Sequence, residues 1–144
     1  MEHFSIQFRV YYEDTDAGGI VYHANYLRFT ERARTDWLRS AGYRQQEMLA
    51  AGQGFVITKL KARFRQSARL DDTLRVTCVP IKVGRASIEF YQQVFNQDEA
   101  LLFELECQIA FVDIRQKQTM AIPQQALEFA KSHLDEDDAL GVDY

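Results

Sequence analysis

The sequence predicts an α+β fold in which one long central helix is wrapped by a curved antiparallel β-sheet of about five strands. Three observations predict it. Apolar residues recur at helical spacing over one long stretch, residues 25–41, and at a period of two through most of the rest. The period-two runs are long and separated by short turn signals, so antiparallel pairing is the simplest connection between them. Strands that alternate apolar and polar residues have one dry face, and a single amphipathic helix is its natural cover.

The opening run alternates Phe4, Ile6, Phe8 and Val10 and reads as a strand. A polar loop follows. The helix then aligns Tyr26, Phe29, Ala33, Trp37 and Ala41 on one face and leaves Arg28, Glu31, Arg32, Arg34 and Arg39 mostly elsewhere. Asn25 is the expected N-cap, and Gly42 the expected residue just past the helix end. After a softer connection over residues 45–54, Val56, Leu60, Ala62 and Phe64 alternate with Lys59, Lys61, Arg63 and Arg65. Asp71-Asp72 turns the chain into a run carrying Leu74, Val76 and Cys78, and Gly84 precedes another with Ala86, Ile88, Phe90 and Val94. The last run spans Leu101 to Phe111. Ile122-Pro123 introduces a short helix, so a single domain is expected over residues 1–133, followed by an acidic tail, residues 134–144. Val79, Ile81, Val83, Tyr91, Phe95 and Val112 fall on the sheet's outer face, which is thereby more apolar than a monomer needs; self-association through that face or a sheet edge is expected.

Composition narrows the function. A net charge of −4 lacks the basic footprint of a nucleic-acid binder. No apolar run approaches the roughly 18 residues of a membrane span. The first ten residues resemble neither a signal nor a transit peptide, so a cytoplasmic location is expected. Cys78 and Cys107 lie in alternating runs without metal-spaced neighbours and read as reduced core residues; no metal site is expected.

The loop "EDTDAGGIVYHANY", residues 13–26, concentrates the chemistry. As a plain strand-to-helix connection, its Asp and Gly residues would make turns. As a calcium loop starting at Asp14 it fails, because position twelve is Asn25 and no helix precedes it. As a phosphate cradle, Gly18-Gly19 lacks the Lys-Ser/Thr of a P-loop and any dinucleotide spacing. As a hydrolytic site it is well supplied. Asp16 can serve as nucleophile or general base, and the following helix offers free N–H groups to a developing oxyanion. His23 stands near that helix start. Asp14, two residues from Asp16, reads as a turn or cap residue.

The run "RVYYEDTDAGGIVYHANYLRFTERAR", residues 9–34, resembles the signature of hotdog-fold acyl-CoA thioesterases of the 4-hydroxybenzoyl-CoA thioesterase superfamily. It is most similar to the bacterial subgroup encoded with the Tol-Pal envelope system. "ARLDDTLRV", residues 68–76, is similar too, and the resemblance extends over roughly residues 6 to 125. It implies hydrolysis of an acyl-CoA thioester with Asp16 as the catalytic carboxylate and with Tyr12 and His23 lining the site. The backbone N–H of His23 is the expected oxyanion donor. No cofactor is implied beyond the coenzyme A of the substrate. The resemblance also implies edge-strand dimers that associate into a homotetramer, with sites near subunit boundaries, and admits an acyl carrier protein as a partner. Coenzyme A phosphates require cations. Lys82, Arg85 and Ser87 in "IKVGRAS", with Lys59 and Arg63 on the preceding strand, are the candidates. Two other functions stay open: hotdog hydration or dehydration of an acyl thioester, and a non-catalytic acyl-thioester or carrier-protein binding module in envelope or lipid metabolism.

Overall fold

The computed structural model describes residues 3–135. Strand β1 (Ser5–Arg9) leads through a 3-10 turn (Tyr12–Asp14) and the polar loop into α1 (Asn25–Ser40). Helix α2 (Gln45–Ala50) and strand β2 (Gln53–Phe64) follow, then β3 (Thr73–Thr77), β4 (Val79–Val83), β5 (Ser87–Phe95) and β6 (Leu101–Asp113). A short β7 (Gln118–Thr119) and α3 (Gln124–Ser132) close the described chain. The sheet is antiparallel throughout, in the order β1-β3-β5-β6-β2, with β4 beside β5 and β7 beside β6. β3 and β4 are one strand interrupted at Cys78: Val76 faces Val94 and Val79 faces Tyr91 on the same partner. Five long strands therefore curl around α1, as the periodicity predicts.

The helix face named from the sequence is the core. Tyr26, Phe29, Ala33 and Trp37 are buried against Leu74, Val76, Phe90, Phe103 and Leu105 from the sheet. Each large apolar side chain so buried contributes about 1.5–3 kcal/mol. Trp37 meets Phe90 and Phe129 edge-on, which ties α3 to the same core. Gly42 ends α1 as expected: it has φ +85°, its N–H bonds Arg39 O at 3.0 Å, and the Tyr43 N–H bonds Leu38 O at 3.0 Å. These two bonds close the helix carbonyls as a Schellman cap.

Five expectations are corrected. Asn25 is the first helical residue instead of the N-cap; the cap position is Ala24, and the Asn25 amide donates to Asp14 O at 2.9 Å. The soft stretch after Gly42 contains α2, a single turn and a half too short for periodicity to reveal. Val56 is 44% exposed because a bulge between Ile57 and Lys59 shifts the alternation, so that Phe55 packs against Tyr43 and Phe111. Arg34 is not on the wet face of α1 but 7% exposed beneath it. On the outer face of the sheet, Val79, Ile81 and Tyr91 are already buried within the chain. There Tyr91 packs on Ile81 and its hydroxyl donates to the buried Glu104 carboxylate at 3.0 Å. The apolar surface left uncovered lies instead along the edge strand β2, at Val56, Ile57, Leu60 and Phe64.

The chain's end is tied back where it is described, with the Asp135 N–H on Pro80 O and the Asp135 carboxylate on His3. Most of the predicted acidic tail, residues 136–144, lies outside the described residues.

Candidate active site

The polar loop is a small, closed structure. Thr15 bridges Val21, the Asp16 N–H bonds Ile20 O at 2.9 Å, and the Gly19 N–H bonds Asp16 O at 3.1 Å. Gly19 takes φ +77° at the tip, a conformation that L side chains avoid. Residues 68–72 clamp this hairpin from one side: the Val21 N–H bonds Ala68 O at 2.9 Å, and Ile20 bridges Arg69. A segment this short and polar holds a fixed shape because its backbone groups are paired.

The two aspartates have different work. Asp14 is structural: its carboxylate accepts the Tyr11 N–H at 2.9 Å, and its carbonyl accepts from the Tyr22 N–H and the Asn25 amide. Among the described residues the exposed Asp16 carboxylate accepts only the Gly18 N–H, through Oδ1 at 2.9 Å, which leaves its second oxygen available. The loop therefore orients one carboxylate outward and uses the other to hold itself.

Helix α1 begins immediately beyond. Its N-terminus has no capping side chain and no acidic residue in its first turn. Among the described residues, no acceptor meets the backbone N–H of His23 or Ala24. These donors, with the positive end of the helix dipole, suit a developing negative oxygen. The His23 ring is exposed, lies 4.4 Å from the Tyr22 ring and stands edge-on to Phe64 at 6.3 Å. Beneath it Tyr26 stacks on Phe103 at 4.9 Å and accepts the Ala68 N–H at 3.0 Å. Burial raises the Tyr26 phenol above its ordinary value, so it stays protonated as part of the floor.

Asp16, His23 and Tyr12 thus come from one loop, but among the described residues no hydrogen bond joins their side chains. Tyr12 is 82% exposed in the 3-10 turn, which excludes the packed strand-end aromatic as its role in this chain. The basic candidates do not converge on the loop. Lys59 pairs with Glu89 at 3.1 Å, one rung of a charge ladder across β2, β5 and β6 that includes Lys61 with Glu106 and Arg65 with Glu104. Arg63 falls on the same side of β2, opposite Glu104. Lys82, Arg85 and Ser87 sit at the β4–β5 hairpin, at the far end of the sheet: Phe64 faces Phe103, whereas Ser87 faces Ala110. At about 3.3 Å per residue, those two levels of β6 are about 23 Å apart.

Sequence reasoning missed a second polar feature. Arg34 Nη1 donates to Gln92 Oε1 at 2.9 Å, and the Gln92 amide donates to Thr30 O and Thr77 O. The guanidinium also stands near the Cys107 thiol, where its charge favours the thiolate. Burial raises the thiols of Cys78 and Cys107 despite this cation, which leaves both protonated and unreactive. A charged residue inside a helix that is otherwise regular has no local sequence signal; only the glutamine at an inward position of β5 hinted at a buried partner.

A curled antiparallel sheet around one helix is the architecture of the hotdog-fold thioesterases. The chain belongs to the thioesterase-like superfamily, whose family model matches residues 10–130. Among its relatives is the acyl-CoA thioester hydrolase YbgC of Escherichia coli O157:H7, 42% identical over 115 residues, or 80% of this chain and 86% of that protein. The acyl-CoA thioesterase YbgC of Haemophilus influenzae is 42% identical over 123 residues, covering 85% and 90%. In structure, a hypothetical protein from Aquifex aeolicus superposes with a TM-score of 0.80 at 28% identity, over 88% of this chain and 98% of that one. A 1,4-dihydroxy-2-naphthoyl-CoA thioesterase from Synechocystis shares the fold at a TM-score of 0.84 and 19% identity, over 90% and 96%. No described helix is long and apolar enough to cross a membrane.

Proposed function

We propose that the chain hydrolyses an acyl-CoA thioester to the free acid and coenzyme A, at a site centred on Asp16 and the start of α1. The observation that carries this reading is the pairing, within one rigid loop, of an outward Asp16 carboxylate with the open N–H groups of His23 and Ala24. The thioester carbonyl oxygen accepts the His23 N–H, and charge develops there as the carbonyl carbon becomes tetrahedral. Asp16 either attacks that carbon, giving a mixed anhydride that water then cleaves, or removes a proton from the attacking water. Both routes expel the coenzyme A thiolate, which takes up a proton. The His23 imidazole stands beside the carbonyl position, able to orient the water or protonate the leaving sulfur.

The site is completed by a second copy. Asp16, His23 and Tyr12 are all exposed, and the edge strand β2 beside them carries uncovered apolar side chains. If β2 pairs with its own copy across a two-fold axis, the Gln53 end of one strand lies beside the Phe64 end of the other. That brings Arg85, Lys82 and Ser87 of one subunit toward the Asp16 loop of the next, where they meet the coenzyme A phosphates. Lys59 and Arg63 are assigned a lesser share, since Lys59 already faces Glu89. A homotetramer built from such dimers in the cytoplasm, serving the envelope system and accepting thioesters from coenzyme A or an acyl carrier protein, is the reading we adopt.

The test is release of free thiol from a panel of acyl-CoA thioesters. Its background is low, because both protein thiols are buried. Wild-type protein should release thiol, and Asp16→Asn should lose about 10²–10⁴-fold, the usual worth of a positioned base. A folded Asp16→Asn enzyme retaining more than about a tenth of the rate rules the assignment out. Binding without thiol release would instead favour the non-catalytic module, and hydration of an enoyl-CoA the hydratase.

A further inference from the structure

A groove of about 460 Å³ runs between α1 and the edge strand β2. It begins at Leu27, one helical turn beyond His23, and continues past Arg34 to Leu38, with Ile57 and Leu60 as its opposite wall. Apolar side chains dominate it. The buried charge in its lining is Arg34, with 7% of the residue exposed.

Among the described residues, Arg34 is a cation without an anion. Its hydrogen-bond partner is the neutral Gln92 amide oxygen, the nearby Cys107 thiol is neutral too, and no carboxylate lies within ion-pair distance among the described residues. A guanidinium carries five N–H donors in a fixed fork, more than this one partner engages. The only side-chain nitrogen or oxygen both fully buried and unpartnered among the described residues is Trp37 Nε1. The remaining Arg34 donors therefore touch the open volume, which is the groove. Burying a charge without a counter-ion is strongly unfavourable, and an arriving carboxylate would remove that cost. The other charges along the groove, Arg28 and Glu31, are exposed on the rim of α1 and offset one another, so the lining is net cationic.

We propose that Arg34 is a specificity residue that receives a carboxylate at the distal end of the acyl group, so that the preferred substrates are coenzyme A thioesters of dicarboxylic acids. This rests on the thioesterase reading above, with the carbonyl held at His23. His23 and Arg34 are eleven positions apart in the chain, about 16 Å along a helix axis, and helical side chains lean back toward the N-terminus. The carboxylate must then stand several carbons from the thioester. A planar, bidentate Arg–carboxylate pair in a narrow groove discriminates by both charge and length.

The experiment compares matched pairs of acyl-CoA thioesters of equal carbon number, one ending in a methyl group and one in a carboxylate, from four to twelve carbons. For wild-type protein, kcat/KM should favour the carboxylate by about tenfold or more at one or two lengths, the usual worth of a bond to a charged group. Arg34→Met should abolish that preference. Arg34→Lys, with the same charge and a shorter reach, should keep it but move the optimum to a longer chain. Each ratio is taken on one preparation, so it does not depend on the folded fraction. The proposal is overturned if wild type favours the carboxylate at no length, or if folded Arg34→Met keeps the wild-type ratio. Should Arg34→Met not fold, an Arg34→Lys optimum unchanged in length and size overturns it equally. Absence of turnover with every thioester of both kinds is a different result, and defeats the hydrolase reading itself.

Discussion

At the scale of single residues, the two loop aspartates divide labour by what each already bonds. Asp14 Oδ2 holds the Tyr11 N–H, and an asparagine amide oxygen can accept the same bond. Asp14→Asn should therefore leave turnover within about threefold of wild type, whereas Asp14→Ala should lose stability by about 1 kcal/mol through the orphaned donor. Urea unfolding and thiol release measure the two separately; a folded Asp14→Asn protein as inactive as Asp16→Asn would mean the carboxylates are assigned the wrong way round. His23→Ala should cost less activity than Asp16→Asn, because truncation of the ring leaves the main-chain N–H in place. The loop's chemistry was legible in the sequence because turn residues, carboxylates and a helix start are all local features. Arg34 was not, since one arginine among six charged residues on a helix looks solvated until the opposing Gln92 is placed.

At the scale of elements, caps and bulges decide where patterns read correctly. Gly42 was identified because a glycine past an apolar helical stripe has one common use, and the structure adds a second constraint. A Cβ there would lie 2.4 Å from the Gln125 side-chain nitrogen, at φ +85°. Gly42→Ala should destabilise by about 1–2 kcal/mol, combining left-handed strain with displacement of Gln125. Thermal or urea denaturation checks this, and Gln125→Ala in the same chain should recover only the steric part. β2 shows the opposite case. Its alternation was read as continuous, yet the bulge between Ile57 and Lys59 places two residues opposite Gln108 and changes which side chains face α1. Both phases are apolar in that stretch, so nothing in the sequence marked the slip.

At the scale of the whole molecule, the chain leaves its candidate site open and one sheet edge uncovered. A stable oligomer is expected at micromolar concentration by light scattering; a monomer would defeat the shared site outright. Mixing Asp16→Asn with Arg85→Ala under subunit exchange should restore part of the wild-type rate, because some sites then receive an intact copy of each residue. A stable oligomer without rescue would place Arg85 in its own chain's site or outside any. The hotdog topology was readable because one helix and five alternating strands admit few arrangements. For association the sequence left the outer face and a sheet edge both open; Tyr91 and Glu104 close the outer face internally, and the uncovered apolar side chains lie on the edge strand β2.

The partner of β2 within the sheet is β6, with Gln53 opposite Asp113 and Phe64 opposite Phe103. On the ribosome, the edge strand therefore emerges well before the strand that will hold it. For Gln53 the wait is 60 residues, about 3–12 s at 5–20 residues per second. Throughout that interval a twelve-residue segment with Phe55, Ile57, Leu60 and Phe64 on its apolar positions has no sheet to join. The alternating Lys59, Lys61 and Arg63, of which the two lysines later pair across the sheet, meanwhile act as gatekeepers that keep nascent chains from joining strand to strand. Replacing those cations with neutral residues would reach the cell first as lost soluble yield, before any catalytic defect could be measured.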